Sequence, residues 1–253
     1  MFAQLIHVLQ PSLLLCLMLF SPIGQAATLN IATIMLVPMG MQEGSRESGI
    51  LYDIANEVAE TAGFVPNNVI LPFPRAARNI IAGKSDMTIM FTNKLILGHS
   101  VEGPPVMTLR NVIIGTAEHE YFNLEELRGK TVGSIRSASY DAVFDQDKAI
   151  LKYELTEYDQ IIKMLLANRL DAIIGVETSI LHTLKMLKIP RGKLGRPLVL
   201  NKKKPRLQFS NNLSKPDRKH LEEALFKMNQ SGRIQAIVDK YTKQSCCQVA
   251  PGS

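Results

Sequence analysis

Apolar positions along the chain alternate between two periods. Residues 29–35 (LNIATIM) form a β-branched apolar run and predict a buried first strand. Residues 49–62 then carry Ile50, Leu51, Ile54, Ala55, Val58, Ala59 and Ala62 at helical spacing, and Gly63 ends that helix. Residues 69–71 predict a short strand, 75–82 a helix closed by Gly83, and 86–91 (DMTIMF) another strand. This β-α-β-α-β order is the mark of a mostly parallel sheet covered by helices.

A Gly/Pro-rich connection over 98–105 separates this series from a second one. Val112 to Gly115 is apolar again, and Asn123 with Glu126 three residues on reads as a capping box before Gly129. Strands are predicted at 131–135, 149–155 and 171–175, with helices at 140–144, after Thr156 and Asp159, and at 178–187. Residues 188–205 read as a basic crossing segment, 206–210 as a strand, 214–228 as a helix opened by Ser214, and 233–241 as a last helix. The pattern predicts an α/β protein of two sheet-and-helix lobes joined by two hinge crossings, near 109–115 and 202–207. Residues 27–109 and 205–253 would build the first lobe and 110–204 the second. Ligands of open parallel sheets bind outside the carboxyl ends of the strands, so two such lobes facing each other form a cleft that closes on a small solute.

The N-terminus changes the picture. Residues 1–26 hold no Asp, Glu, Lys or Arg, residues 13–20 are continuously apolar, and small residues follow at Ala26 and Ala27. This predicts a secretory signal peptide ending at 26 or 27 and a periplasmic protein; an uncleaved anchor is the alternative. The 253 residues carry 29 Lys and Arg against 23 Asp and Glu, a modest net +6 that does not by itself indicate nucleic-acid binding. Of the 3 cysteines, Cys246 and Cys247 lie past the signal, adjacent and near the C-terminus. Neighbouring cysteines rarely bridge each other, so the fold is expected to stand on its core. No His pairs with another His or with Cys at three- or four-residue spacing, which gives a metal site no support, and no cofactor motif is present.

Four segments fall in a shared order with one family. Residues 49–54 (GILYDI), 78–86 (RNIIAGKSD), 127–133 (LRGKTVG) and 166–173 (LANRLDAI) resemble the family 3 extracellular solute-binding proteins, the mostly amino-acid-binding components of ABC transporters. The resemblance covers nearly all of the chain after residue 26. It implies a two-lobed type II periplasmic-binding fold that captures a polar solute without chemistry, as a monomer working with an inner-membrane permease. After the third strand the family presents a small polar residue and then a carboxylate-gripping arginine; here stand Phe91, Thr92, Asn93 and Lys94, with no arginine. The second-lobe loop would be Arg136, Ser137, Ala138, Ser139 and Tyr140, offering hydroxyls and backbone N–H groups. The family's ammonium-binding aspartate falls at Val176, with Glu177 one residue later.

The residues themselves leave alternatives. Arg75, in the segment Pro72-Phe73-Pro74-Arg75, reads as a carboxylate clamp or as a surface arginine stacked on Phe73. Arg136 reads as a ligand contact or a hinge ion pair, Phe91 as cleft wall or core, Asp53 as a helix-dipole partner or a contact, and Met35 and Met39 as packing. The basic stretch 185–206 reads as a solvated face, or else as a docking surface or an attractor of anions. The main reading is an exported protein that captures an amino acid or related carboxylate for an ABC transporter. A sensory module for a membrane receptor is the alternative, followed by a dehydratase or lyase with Glu177 as its acid or base.

Overall fold

The computed structural model describes residues 26–92, 95–136, 138 and 140–243. The chain begins with β1 (Thr28–Ile34), a hairpin of β2 (Met41–Glu43) and β3 (Arg46–Ser48), α1 (Ile50–Thr61), β4 (Val65–Leu71), α2 (Phe73–Ile81), β5 (Met87–Met90) and β6 (Val101–Pro105). It continues with β7 (Leu109–Ile114), β8 (Thr131–Ile135), α3 (Ala142–Gln146), β9 (Leu151–Leu155), α4 (Tyr158–Leu166), β10 (Ala172–Val176), α5 (Glu177–Met186), β11 (Leu198–Lys203), β12 (Arg206–Phe209), α6 (Lys215–Gln230) and α7 (Arg233–Thr242).

These strands form two five-stranded sheets, in the orders β4-β1-β5-β12-β6 and β11-β7-β10-β8-β9. In the first, only β12 runs against its neighbours; in the second, only β7 does. Both reversed strands are the ones that bring the chain in from the other sheet. The fold is α/β with mostly parallel sheets flanked by helices, as the pattern predicts.

Side-chain alternation explains the layers. Leu29 and Ile31 of β1 and Met87 and Ile89 of β5 pack with α1, α6 and α7. Ala32 and Met90 turn to the other face and meet Ala76, Ala77 and Ile80 of α2. In the second sheet Val112, Ile114 and Ile173 pack under α4 and α5, while Ile113, Val132, Ala172 and Ile174 face Phe144 and Tyr140. Each fully buried Ile or Leu contributes about 1.5–3 kcal/mol, so both sheets have cores of their own.

The chain changes sheet at 106–108 and again at 204–205. The two crossings are themselves joined: Val106 N–H donates to the Pro205 carbonyl at 2.9 Å. On either side of that bond, Arg206 pairs with Pro105 and Lys203 with Leu109. A continuous antiparallel ribbon therefore links the sheets.

Four parts of the chain depart from expectation. Residues 101–105 are a strand rather than a connection. β6 lies at the sheet's edge, where a proline's missing N–H faces no partner. Residues 198–203 of the basic crossing are also an edge strand, with Lys202 and Lys203 exposed on it. The β2–β3 hairpin over 41–48 has no hydrophobic run to announce it. The expected helix 140–144 begins later, at Ala142, because Asp141 caps it: its carboxylate accepts from the Val143 and Phe144 N–H groups. Among the described residues no helix is long and apolar enough to cross a membrane. The signal-peptide reading and the Cys246–Cys247 pair fall outside the described residues.

Candidate functional site

Parallel register aligns the carboxyl ends of the strands. Ile34 pairs with Leu71, and the β1–β5 register brings Ile34 level with Met90. The residues just beyond, Met35 to Val37, Phe73 and Phe91, therefore crown one edge of the first sheet. On the second sheet, continuing the Ile173–Gly133 register sets Val176 level with Arg136. The two edges touch: Ser179 on α5 donates its hydroxyl to the Val37 carbonyl at 3.1 Å, and Val176 packs against the first sheet's core.

The first edge is apolar. Met35 is 48% exposed, Leu36 56%, Val37 53%, Phe73 39% and Phe91 40%. Met39, by contrast, is buried as a packing residue. Met35, Leu36 and Val37 line a cavity together with Glu43 and His182, and exposed apolar side chains grouped at strand ends are candidates for contact with a ligand or partner. Sequence reasoning missed Leu36 and Val37; the signal was an apolar run extending past the end of a strand into Pro38.

Two exposed cations stand past strand ends, one on each sheet. Arg75 sits in the first turn of α2, where the helix dipole does not favour a positive charge. Arg136 follows β8, its backbone N–H donating to the Leu155 carbonyl at 2.8 Å. Both are exposed, and neither has an acidic partner among the described residues. Neither the Phe73-stacked surface role nor the hinge ion pair is needed to place them.

Other expected contacts are engaged. Thr92 donates its hydroxyl to Glu102 and accepts from Gln208 Nε2 at 3.0 Å, while Glu102 also meets Arg206 Nε at 2.9 Å. This ties the end of β5 to the crossing ribbon. Tyr140 is 5% exposed and belongs to the second sheet's core. Its hydroxyl accepts from the Ile135 N–H at 3.2 Å and is hydrogen-bonded to Tyr158, whose oxygen accepts from the Val176 N–H at 3.2 Å. The two phenols thus brace both strand ends from beneath the edge. Burial raises both above the ordinary tyrosine range, Tyr158 the more strongly. Asp53 is held by Lys240 at 2.7 Å and by the Tyr241 hydroxyl at 2.8 Å.

Glu177 is aimed elsewhere. Its carboxylate is gripped by Arg110 and lines a cavity of about 930 Å³ bounded by the ribbon, α5 and α7. None of the five exposed apolar residues lines that cavity. The one-residue offset from Val176 rotates the acid away from the cleft edge, and Arg110 was not singled out in the sequence. Asn93, Lys94, Ser137 and Ser139 lie outside the described residues. Among the described residues no group of His, Cys, Asp or Glu converges to hold a metal.

No protein-family model matches the sequence, and no curated protein does. Solved structures do match. The second substrate-binding domain of GlnP from Lactococcus lactis, in its open conformation, aligns with a TM-score of 0.68 at 18% identity, over 88% of this chain and 98% of that one. An ancestral cationic amino acid solute-binding protein gives 0.71 at 14%, over 86% and 96%. The ligand-binding core of GluR0 from Nostoc punctiforme, bound to L-glutamate, gives 0.60 at 19%, over 84% and 98%. These likenesses establish the type II periplasmic-binding fold.

Proposed function

We propose that this chain is an exported solute-binding protein that captures an amino acid or related carboxylate between its lobes for an ABC transporter. Residues 27–109 and 205–253 act as one lobe, 110–204 as the other, and the segment 1–26 directs export to the periplasm. The observation that carries the reading is the pair of strand-end edges that face each other across a two-stranded ribbon. One edge offers an apolar surface, and each offers an arginine without an acidic partner among the described residues. Arg75 and Arg136 bind the solute's anionic group, Phe91 and its apolar neighbours cover its body, and Thr92 supplies a polar contact beside them. Tyr140 supports the edge from below. A neighbour named as an ancestral cationic amino acid solute-binding protein supports the solute class, and another named as the substrate-binding protein of an amino acid ABC transporter, at 20% identity, supports the transporter role.

A thermal-shift screen of amino acids, organic acids and polyamines tests this. A ligand present at 100 times its Kd stabilises the folded form by about 2.7 kcal/mol. For a protein of this size that raises Tm by roughly 5–10 °C. Absence of any shift at millimolar concentration across all three classes refutes solute capture.

A further inference from the structure

We propose that β9 pairs antiparallel with β9 of a second copy of this chain, with the two-fold axis at Tyr153, and so joins the second sheets of two molecules. The inference is independent of the solute-capture reading. It replaces the monomer implied by the family resemblance with a reversible dimer.

The open edge carries it. β9 (Leu151–Leu155, LKYEL) is the last strand of its sheet, with β8 as its one neighbour. Two bonds fix which backbone groups face β8. Leu151 N–H donates to the Lys130 carbonyl at 3.0 Å, and the Leu155 carbonyl accepts from the Arg136 N–H at 2.8 Å. Leu151, Tyr153 and Leu155 therefore turn their N–H and C=O groups toward β8. Those of Lys152 and Glu154 point outward, and no backbone group among the described residues meets them. An uncovered row of this kind is a template for another strand.

The other sheet edges are blunted. β4 carries Pro66, β6 carries Pro104 and Pro105, and β11 carries the adjacent, exposed Lys202 and Lys203. β9 has no proline, and its lysine is folded back from the edge. Lys152 Nζ donates to the Asp145 and Asp147 carbonyls at 3.1 and 2.7 Å and lies over the Phe144 ring. β9 is also the edge away from the ribbon strands β7 and β11, so pairing there leaves the lobe crossings free.

The strand is complementary to itself. Two-fold pairing about Tyr153 sets Lys152 opposite Glu154 of the second copy, Leu151 opposite Leu155, and Tyr153 opposite Tyr153. Lys152 and Glu154 then fall in hydrogen-bonded pairs, as their outward N–H and C=O groups require. Tyr153 falls in the non-bonded pair, where Cα atoms approach to about 4.5 Å and side chains meet most closely. The Lys152 ammonium keeps a third N–H for the facing carboxylate. Glu154 is exposed and has no ion-pair partner among the described residues. The acids nearest Lys152 are engaged: Asp147 by Arg128 Nε at 3.1 Å and the Ala149 N–H at 2.8 Å, Asp145 by the Tyr140 N–H at 3.2 Å. On the opposite face Leu151 is 54% exposed and Tyr153 47%, and the second copy covers both.

A contact of this length buries less than the roughly 1,200 Å² of a standard stable interface, so association belongs to the high-micromolar range. Sedimentation equilibrium on residues 27–253 tests it, with a reducing agent to keep Cys246 and Cys247 from cross-linking copies. Between about 10 µM and about 1 mM the average mass should rise by at least about 1.5-fold and level off at two copies, because a two-fold contact closes on itself. A monomer mass throughout, or a mass that climbs past two copies, overturns the proposal. Glu154→Lys sets like charges across the axis and should weaken association by at least about tenfold. Glu154→Pro removes an outward N–H while leaving the bonds to β8, and should do the same. If both variants fold and associate as the parent does, the proposal is overturned. Mixing Glu154→Lys with Lys152→Glu restores opposite charges across the axis, so the mixture should associate where neither variant does alone. A mixture of folded variants that stays monomeric overturns the register. Should Lys152→Glu fail to fold, the two Glu154 variants decide alone.

Discussion

Arg110 and Glu177 meet as fork and carboxylate, Nε on Oε2 and Nη2 on Oε1, both at 2.5 Å. The pair ties the first strand of the second sheet to the helix that leaves its neighbour. Glu177 is 15% exposed and Arg110 41%, so the interaction is partly shielded from water. Glu177→Gln should cost about 1 kcal/mol, toward the lower end for charge-assisted bonds because the arginine is solvated. Urea denaturation measures this. Solute affinity in the same variant should stay within twofold; a tenfold loss with unchanged stability would mean that the carboxylate touches the solute after all.

Arg75 and Arg136 should behave in the opposite way. Neither has an ion-pair partner among the described residues, so Arg75→Ala and Arg136→Ala should leave Tm without ligand nearly unchanged, as exposed substitutions do. Each should weaken an anionic solute by about 1.5–3 kcal/mol, roughly 10–100-fold. Titration calorimetry on both variants checks it, and unaltered affinity in both would move the site.

The tyrosine pair beneath the second edge predicts sensitivity to alkali. Burial raises Tyr158 well above its ordinary value and raises Tyr140 as well. The folded form therefore prefers the neutral phenols. Their contribution is intact below the unfolded value near pH 10 and is lost as pH climbs from there through the folded values. Tyr158→Phe strips the Val176 N–H of its acceptor, at a cost of about 1–3 kcal/mol at pH 7. It should also flatten the fall in stability above pH 10 in denaturant titrations. Gly175→Ala should destabilise by about 1–3 kcal/mol through overpacking, since a methyl there would come within 2.5 Å of Tyr158 Cε1. Phenylalanine keeps that carbon, so Tyr158→Phe should not rescue it.

Asp141 predicts an acid limb. Its carboxyl is held below the usual range, chiefly by the Asn201 side chain and then by the α3 N–H groups. A depressed folded value means the contribution is present above the unfolded value near pH 4 and disappears as pH falls through the folded one. Asp141→Ala should cost about 1 kcal/mol at pH 7, as lost helix caps do. The difference from the parent protein should shrink below pH 4. Parallel urea curves at pH 7 and pH 3 measure both effects.

Two of the elements that were hard to read share a location. β6 and β11 are edge strands, each with one neighbour. An edge tolerates the prolines of 101–105 and the lysines of 198–203, and so its sequence looks like a loop. The central strands were legible because they are buried on both faces and must be apolar throughout. Site residues divided along similar lines. Arg75 and Arg136 stood out because one opens a predicted helix and the other follows a predicted strand, and the structure leaves both exposed. Glu177 was misdirected because a single residue at a strand-to-helix junction changes which wall its side chain faces, and only the position of Arg110 settles that.

By itself the sequence determined the order of strands and helices, the helix stops, the α/β class and the presence of two lobes. These follow from periodic burial and local backbone preference, which act over a few residues. Only the tertiary structure decided how the two crossings pair, which strand ends share an edge, and which charges remain unspent there. Those outcomes depend on contacts between residues far apart in the chain, such as Val106 with Pro205 and Val37 with Ser179, and no local pattern encodes them.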